Sequence, residues 1–351
     1  MYHQFFGLKK DPFSMTPDPA FLFLTAPHRE ALAGLTYSIL SRKGFVVLTG
    51  DAGTGKTTLL SRIFQSIPSA RARFSVVLNP TLTPAEFLEL TLLDFGISEI
   101  PASKAQRLSL LQQFLISAYQ KNQVAALVVD EAHKLPPDVL EEIRLLSNFE
   151  LAEAKLLQIV LAGQTELGAL LNREDLRQLK QRVAVRLAIH PLSSTGVEHY
   201  IQHRWQKAGA AESHPFEPDA LALIAECSRG IPRLVNALCD NALMLGFAES
   251  KKSIGRAQIL ESASDLDLLN ERGRRSLAMA GAPVITHPAS GKTTSAGVRA
   301  LEVNGNGGRV PDQRVPEAPA AVLPQHPRRP AKPSRLARLA GKLGFLANPE
   351  I

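Results

Sequence analysis

The sequence predicts an α/β fold in which a parallel sheet carries helices on both faces and is followed by a small all-helical domain. Between about residues 44 and 190, five short runs rich in Val, Leu and Ile alternate with helix-like segments. The runs lack polar alternation, which is typical of strands covered on both faces. From Ser193 to about Leu269 the strand-like runs stop, and four helical stretches follow one another.

The order of the elements supports a doubly wound sheet. The predicted strands lie in GFVVLTG (44–50), RFSVVLN (73–79), VAALVVDE (124–131), LLQIVLAGQ (156–164) and AVRLAIHPL (184–192). Between them, segments such as PAEFLELTLLDFG and PDVLEEIRLLSNFE carry apolar residues at helical spacing. A strand–helix–strand repeat of this kind builds a parallel sheet with right-handed crossovers.

Composition changes along the chain divide it into five segments. Residues 1–43 are an aromatic lead-in and a first helix that we expect to pack on the core, residues 44–192 are the α/β domain, and residues 193–270 are a helical lid domain. Residues 271–332 are rich in Pro, Gly and Ala and are expected to be disordered, because they hold too few large apolar side chains to offset the entropy of ordering. Residues 333–351 form a short basic amphipathic segment.

The composition argues against several classes of protein. Cys227 and Cys239 are too few for a disulfide framework or a complete zinc site, so we expect reduced core thiols. No apolar run reaches the roughly 20 residues of a membrane helix, and the start lacks the basic region of a signal peptide, so we expect a cytoplasmic protein. The net charge of +7 arises after residue 270, while residues 1–270 are nearly neutral. The basic balance is therefore weak evidence that the folded part binds nucleic acid.

The segment GDAGTGKTT gives the strongest functional signal. It satisfies the G-x-x-x-x-G-K-[ST] pattern of a phosphate-binding loop (Walker A) and stands between a predicted strand and a predicted helix. Glycines let backbone N–H groups close around phosphate oxygens at the positive end of the helix. Lys56 is expected to reach the β- and γ-phosphates of ATP, and Thr57 to ligate Mg²⁺. The predicted nucleotide-binding residues are Gly50, Asp51, Ala52, Gly53, Thr54, Gly55, Lys56, Thr57 and Thr58.

A second motif supplies acidic side chains. The apolar strand in AALVVDEAH ends in Asp130 and Glu131, a Walker B pattern. Asp130 is predicted to hold Mg²⁺, and Glu131 to polarise the attacking water. Another strand-like run, from Phe74 to Asn79, intervenes between the two motifs, as in NTPases whose catalytic glutamate follows the Walker B aspartate. DEAH is also a helicase box, but the other helicase motifs are not found, so we reject that interpretation.

Three further polar residues complete the predicted catalytic set with Lys56 and Glu131. Gln164 ends a strand, where it can bond the γ-phosphate or the attacking water, or alternatively cap the next helix. Arg182 stands at a helix–strand junction, where a ring-forming ATPase offers a finger to a neighbour's nucleotide, and Arg177 stays open as an alternative finger. Arg233 follows Pro232 at a helix start, an unfavourable place for a positive charge unless an anion is near.

Together these residues resemble the AAA+ ATPases, in which the polar strand end is called sensor 1 and the lid arginine sensor 2. The opening, FFGL…PF…TPDPAFLFLT, with VVDEAHKL, LAGQTEL, LKQRV and GIPRLVNALCDNAL, resembles the ExeA, or general secretion pathway protein A, family over about residues 1–265. The resemblance implies an oligomeric ATPase, with the lead-in at the junction of the α/β and lid domains beside the adenine. It also implies a secretion or envelope-assembly protein as partner.

One departure from the secretion-linked members is expected. They carry a transmembrane helix and a periplasmic peptidoglycan-binding domain after the ATPase, and we find neither pattern here. The C-terminal stretch SRLARLAGKLGFLA places Leu336, Leu339, Leu343 and Leu346 on one helical face, flanked by basic residues. Residues 333–347 are therefore a candidate peripheral contact with the inner membrane or with a partner, although Gly341 and Gly344 weaken so short a helix.

Three functions stay open on the sequence alone. The first is an ATP-hydrolysing motor or switch, active as a homo-oligomer, that energises or regulates secretion or envelope assembly. The second is a DNA-associated regulator of the TniB transposition type, which the basic tail supports and the charge-balanced folded part disfavours, so DNA is the less favoured partner. The third is a scaffold that senses ATP without hydrolysis, which the presence of Glu131 disfavours.

Overall fold

A computed structural model describes residues 2–16, 18 and 21–269. Seven strands occur in this part of the chain: β1 (Phe45–Gly50), β2 (Ala72–Val77), β3 (Val124–Val129), β4 (Glu150–Leu151), β5 (Ala154–Lys155), β6 (Leu157–Gly163) and β7 (Val183–Ile189). Five of them form a parallel sheet in the order β2-β3-β6-β1-β7, and β4 pairs with β5 as a short antiparallel hairpin. The predicted α/β class is confirmed, while the predictions for 271–332 and 333–351 fall outside the described residues.

Helices precede, separate and follow these strands. They are α1 (Tyr2–Phe5), α2 (Ala26–Leu40), α3 (Lys56–Ser66), α4 (Pro84–Phe95), α5 (Lys104–Gln120), α6 (Pro137–Leu146), α7 (Glu166–Leu171), α8 (Arg177–Gln181), α9 (Ser194–Lys207), α10 (Pro218–Ser228), α11 (Pro232–Ala248) and α12 (Arg256–Asp265). Several begin at recognisable caps. In α4, for example, Thr83 and Glu86 form a reciprocal capping box, and Gly96 ends the helix in the left-handed conformation.

The sheet is buried on two faces because alternate residues of a strand point to opposite sides. In β1, Val47 packs with α4, α5 and α6, and Val46 packs with α2 and α3. The strand β6 lies between β1 and β3. The ends of β1, β3 and β6 therefore meet at one edge of the sheet, where a parallel sheet places its ligand.

The expectation that every strand is covered on both faces is wrong for β7. Its residues alternate between partly buried and exposed up to the buried Ile189. The reason is that β7 is an edge strand with α2 on one face, where Leu187 packs against Gly34, while Arg186 points to solvent.

The aromatic lead-in packs on the helical region that follows the sheet. Tyr2, Phe13 and Phe21 are buried in one cluster with side chains of α9 to α12, whereas α2 packs on the sheet. Phe13 is fully buried and meets Phe216 edge to face, with ring centroids 6.0 Å apart. The Arg204 side chain donates from Nε to the carbonyl of Pro12 at 2.5 Å. The lead-in is thus an integral part of the helical region.

Two observations bear on the predictions from composition. Cys227 and Cys239 are free thiols, and burial raises the pKa of each. Among the described helices, none combines the length and the apolar character that crossing a bilayer requires.

Candidate nucleotide-binding site

A cavity of about 580 Å³ opens at the carboxyl edge of the sheet. Its walls come from the loop after β1, the ends of β3 and β6, the lead-in, α9 and the first turns of α11. Of the predicted site residues, the cavity is lined by Ala52, Gly53, Thr54, Gly55, Lys56, Thr57, Thr58, Glu131, Gln164 and Arg233. One cavity therefore brings together residues from four separate parts of the chain.

The loop after β1 has the backbone that a phosphate site needs. Gly53 and Gly55 adopt left-handed φ angles of +79° and +100°, which side chains disfavour. A Cβ on Gly53 would lie 2.8 Å from Cβ of Arg233, so the loop and α11 approach too closely for any other residue. The helix α3 begins at Lys56, and its first N–H groups have no carbonyl partner within the helix. They point with the positive helix end into the loop, which suits a phosphate group.

Lys56 bonds to its own loop. The Nζ atom donates to the carbonyls of Gly50 at 2.7 Å and of Asp51 at 2.9 Å, and the residue is only 4% exposed. Burial lowers the pKa of Lys56, and the nearby charges of Asp130 and Glu131 oppose this shift in part. The amine thus lies beside the cavity and donates to two carbonyl oxygens of its own loop.

The two predicted magnesium ligands are in direct contact. Thr57 donates from Oγ1 to Oδ2 of Asp130 at 2.6 Å, and the other oxygen of Asp130 accepts from the N–H of Glu131 at 2.9 Å. Asp130 is buried, yet none of the described basic side chains forms an ion pair with it. A hydroxyl and a carboxylate together are oxygen ligands of the kind that Mg²⁺ prefers, so the residues fit the ion.

Glu131 follows β3 in a left-handed backbone conformation, with φ 54° and ψ 32°. Its Oε2 lies 3.0 Å from Nζ of Lys134 and 3.6 Å from Nε2 of His133. Partial burial alone would raise the pKa of Glu131, but the hydrogen bond from Lys134 and the charges of Lys134 and Lys56 outweigh it, and the pKa is lowered. The carboxylate is therefore ionised at neutral pH and beside the cavity.

His133 links the ends of two strands and was missed by the sequence reasoning. Its Nδ1 accepts from the backbone N–H of Gln164 at 3.2 Å, and its Nε2 faces Glu131. Because Nδ1 accepts, the hydrogen of the neutral ring lies on Nε2 and points toward the carboxylate. Its position in the DEAH segment was the one sequence signal for a role of His133, and no neighbouring residue indicated that Gln164 would be its partner.

The arginines are placed differently from one another. Arg233 lies in the first turn of α11 and lines the cavity. Arg182 follows the last residue of α8 and directly precedes β7, at the edge of the sheet opposite the loop. Burial lowers the pKa of Lys155, and the charge of Arg182 lowers it further. Neither Arg182 nor Arg177 lines the cavity of its own chain.

The lead-in supplies residues that were not predicted individually. Met15, Phe21 and Phe23 line the cavity opposite the loop, and the guanidinium of Arg204 stacks over Phe21 at 4.9 Å. Beside them, Arg204 donates to the hydroxyl of Tyr200 at 3.0 Å. This wall combines apolar rings with buried hydrogen-bonding groups, a composition typical of small-ligand sites.

The fold and this loop define the class: the chain is a P-loop protein with an AAA domain, since the family model described as "AAA domain" matches residues 39–171. The chain is also similar to General secretion pathway protein A of Aeromonas hydrophila, with 40% identity over 277 residues that cover 78% of this chain and 50% of the relative. The predicted resemblance to the ExeA, or general secretion pathway protein A, family is thereby confirmed. The chain spans about half the length of this relative.

Solved structures of other proteins share the fold. Cdc6p from Pyrobaculum aerophilum matches with a TM-score of 0.54 and 19% identity over 72% of each chain. The ORC2 protein of Aeropyrum pernix, solved as ADPNP–ADP complexes, matches with a TM-score of 0.53 and 18% identity over 75% of each chain. At such low identity the likeness shows the fold alone.

Proposed function

We propose that this chain binds ATP with Mg²⁺ and hydrolyses it. The observation that carries the proposal is the contact between Thr57 and Asp130 at the mouth of a phosphate-binding loop, with Glu131 beside them. Thr57 and Glu131 line the cavity, and Asp130 lies directly behind them, bonded to the hydroxyl of Thr57 and to the N–H of Glu131. Bound Mg²⁺ would supply positive charge at the β- and γ-phosphates.

The residues of the chain then have distinct roles. The N–H groups of the loop and of the first turn of α3 bind phosphate oxygens, and Lys56 exchanges its two carbonyl partners for phosphate. Thr57 and Asp130 hold the ion. Glu131, ionised through its basic neighbours, accepts the proton of the attacking water.

Two arginines and one glutamine act on the γ-phosphate in this proposal. Gln164 and Arg233 both line the cavity, which supports contacts to the γ-phosphate within the same chain. Arg182 lies at the opposite edge of the sheet, so its proposed role as a finger requires a second copy of the chain. We therefore propose a homo-oligomer as the active form, with Arg177 as the alternative finger.

The cellular role is proposed from the relative. Because the curated relative is a general secretion pathway protein, we propose that hydrolysis energises or regulates a secretion or envelope-assembly system through a protein partner. The proposed location is the cytoplasm, with peripheral contact at the inner membrane through residues 333–347.

The proposal is tested by titrating the full-length protein with ATP in the presence and absence of Mg²⁺. Lys56→Ala should abolish measurable binding, while Lys121→Ala, which removes an exposed lysine at the end of α5, should leave the Kd unchanged. Equal affinity of the two variants would contradict the proposal. Turnover should not respond to added DNA, and strong stimulation by DNA would favour the transposition-type role instead.

A further inference from the structure

His28 connects the lead-in to the phosphate-binding loop. It lies in the first turn of α2, is 6% exposed, and Thr25 caps the helix by accepting from the N–H of His28. Its Nδ1 lies 2.6 Å from Oγ1 of Thr25, and its Nε2 lies 3.0 Å from the carbonyl oxygen of Thr54. Both ring nitrogens are therefore used, and one partner belongs to the loop itself.

The partners determine where the imidazole carries its hydrogen. A carbonyl oxygen only accepts, so Nε2 donates to Thr54. In the neutral ring Nδ1 is then an acceptor, and it takes the hydroxyl hydrogen of Thr25. The hydroxyl oxygen of Thr25 in turn accepts from the N–H of His28, which closes the local network.

The bond to Thr54 controls the direction of a neighbouring donor. The C=O of Thr54 and the N–H of Gly55 belong to one planar trans peptide unit, so they point in opposite directions. While His28 holds the carbonyl on its own side, the N–H of Gly55 is directed away from His28. Gly55 has a φ of +100°, and glycine has many other conformations to occupy, so the bond from His28 adds a restraint on the carbonyl side of this peptide.

The ring also packs against the loop. A Cβ built on Gly55 would lie 3.5 Å from Nε2 of His28, which is ordinary contact distance. On its other side, Thr54 donates from Oγ1 to the carbonyl of Asp51 at 2.8 Å. Thr54 is thus held at its side chain by the loop and at its carbonyl by His28.

We propose that His28 is a positioning residue that presents the N–H of Gly55 to a phosphate oxygen of the nucleotide. This inference rests on the proposed ATP-binding function. His28 lines the same cavity, but both its ring nitrogens are bonded to protein groups, so in this proposal it acts through the peptide of Thr54. A metal-binding role has no support, because the described residues contain no cluster of three potential His, Cys, Asp or Glu ligands.

The test compares three variants of the full-length protein. His28→Ala removes the donor, His28→Gln keeps an N–H donor near the position of Nε2, and His199→Gln is the matched control at an exposed histidine of α9. We expect His28→Ala to raise the KM and Kd for Mg–ATP about three- to tenfold, the cost of one lost hydrogen bond. The kcat should be unchanged, because this one backbone N–H is proposed to bind the ground state and the transition state alike. His28→Gln should recover most of the affinity.

The outcomes separate this inference from the proposed function. Unchanged affinity in His28→Ala, or equal losses in His28→Ala and His28→Gln, would overturn the role of His28 alone. A wild-type protein that binds no ATP would overturn both proposals. Independently of nucleotide, ¹⁵N NMR should show that the neutral tautomer of the imidazole carries its hydrogen on Nε2, and hydrogen on Nδ1 would contradict the geometry.

Discussion

The close approach of Gly53 to α11 makes a quantitative prediction. Substituting Gly53→Ala places a Cβ 2.8 Å from Cβ of Arg233 and 3.1 Å from Cγ2 of Ile231. Both atoms lie close to the backbone at the start of α11, so a change of side-chain rotamer cannot move them away as it could the end of a long side chain. The loop or the start of the helix must move.

Two separate costs arise, and a second glycine distinguishes them. A side chain at a left-handed φ costs about 1–2 kcal/mol. Overpacking a tight contact costs about 1–3 kcal/mol more. Gly7 has a similar φ of +74° with nothing within 4 Å of its Cβ, so Gly7→Ala carries the first cost without the second. The free energy of unfolding should therefore fall about 1–3 kcal/mol further in Gly53→Ala than in Gly7→Ala.

The assay is equilibrium unfolding in urea, followed by ATP titration of both variants. Gly53→Ala should also weaken ATP binding, because the displaced loop and Arg233 face the same cavity, whereas Gly7→Ala should bind ATP normally. Equal destabilisation by the two substitutions would refute the reasoning that the loop and α11 are in forced contact.

Three further predictions concern stability. Burial raises the pKa of Asp240, which accepts a hydrogen bond from the hydroxyl of Tyr2. The folded state therefore binds this proton more tightly than the unfolded chain, so the free energy of unfolding falls as the pH rises above the ordinary pKa of 3.8. Asp240→Asn should flatten this pH dependence, measured by unfolding in urea at several pH values. Thr83→Ala removes one half of the capping box with Glu86 and should lower the free energy of unfolding by about 1 kcal/mol. An unchanged free energy of unfolding would mean that water replaces the hydrogen bond of the Thr83 side chain. Phe13→Ala empties a fully buried site and should cost about 3–5 kcal/mol, and a loss below 1 kcal/mol in a thermal melt would place the lead-in outside the folded core.

Much of the fold can be predicted from the sequence, because the apolar runs of the strands and the apolar spacing of the helices are local patterns. The five strands of the sheet fall within a few residues of the predicted runs, and the four predicted helices after residue 193 all form. The hairpin of β4 and β5 was missed because the turn at Ala152 and Glu153 carries none of the Gly or Asn residues that mark hairpins. The half-exposure of β7 depends on which strand lies at the edge, and sheet order is a property of tertiary structure.

The site residues likewise fall into those that local sequence patterns identify and those that only tertiary contacts reveal. The loop around Lys56 and the pair Asp130 and Glu131 follow spacing rules that a single sequence displays. His28 and His133 do not, because each acquires its partner only when distant segments meet. The left-handed backbone of Glu131 was equally hidden, since glutamate rarely adopts it.

The central claim, that this cavity hydrolyses ATP through Glu131, is tested most directly by one substitution. Glu131→Gln keeps the size of the side chain and removes its ability to accept a proton. The account predicts that this variant binds Mg–ATP with wild-type affinity while its turnover falls about 10²–10⁴-fold. Glu153→Gln, at the exposed turn between β4 and β5, is the matched control and should hydrolyse ATP normally. Turnover by Glu131→Gln at the wild-type rate would contradict the account.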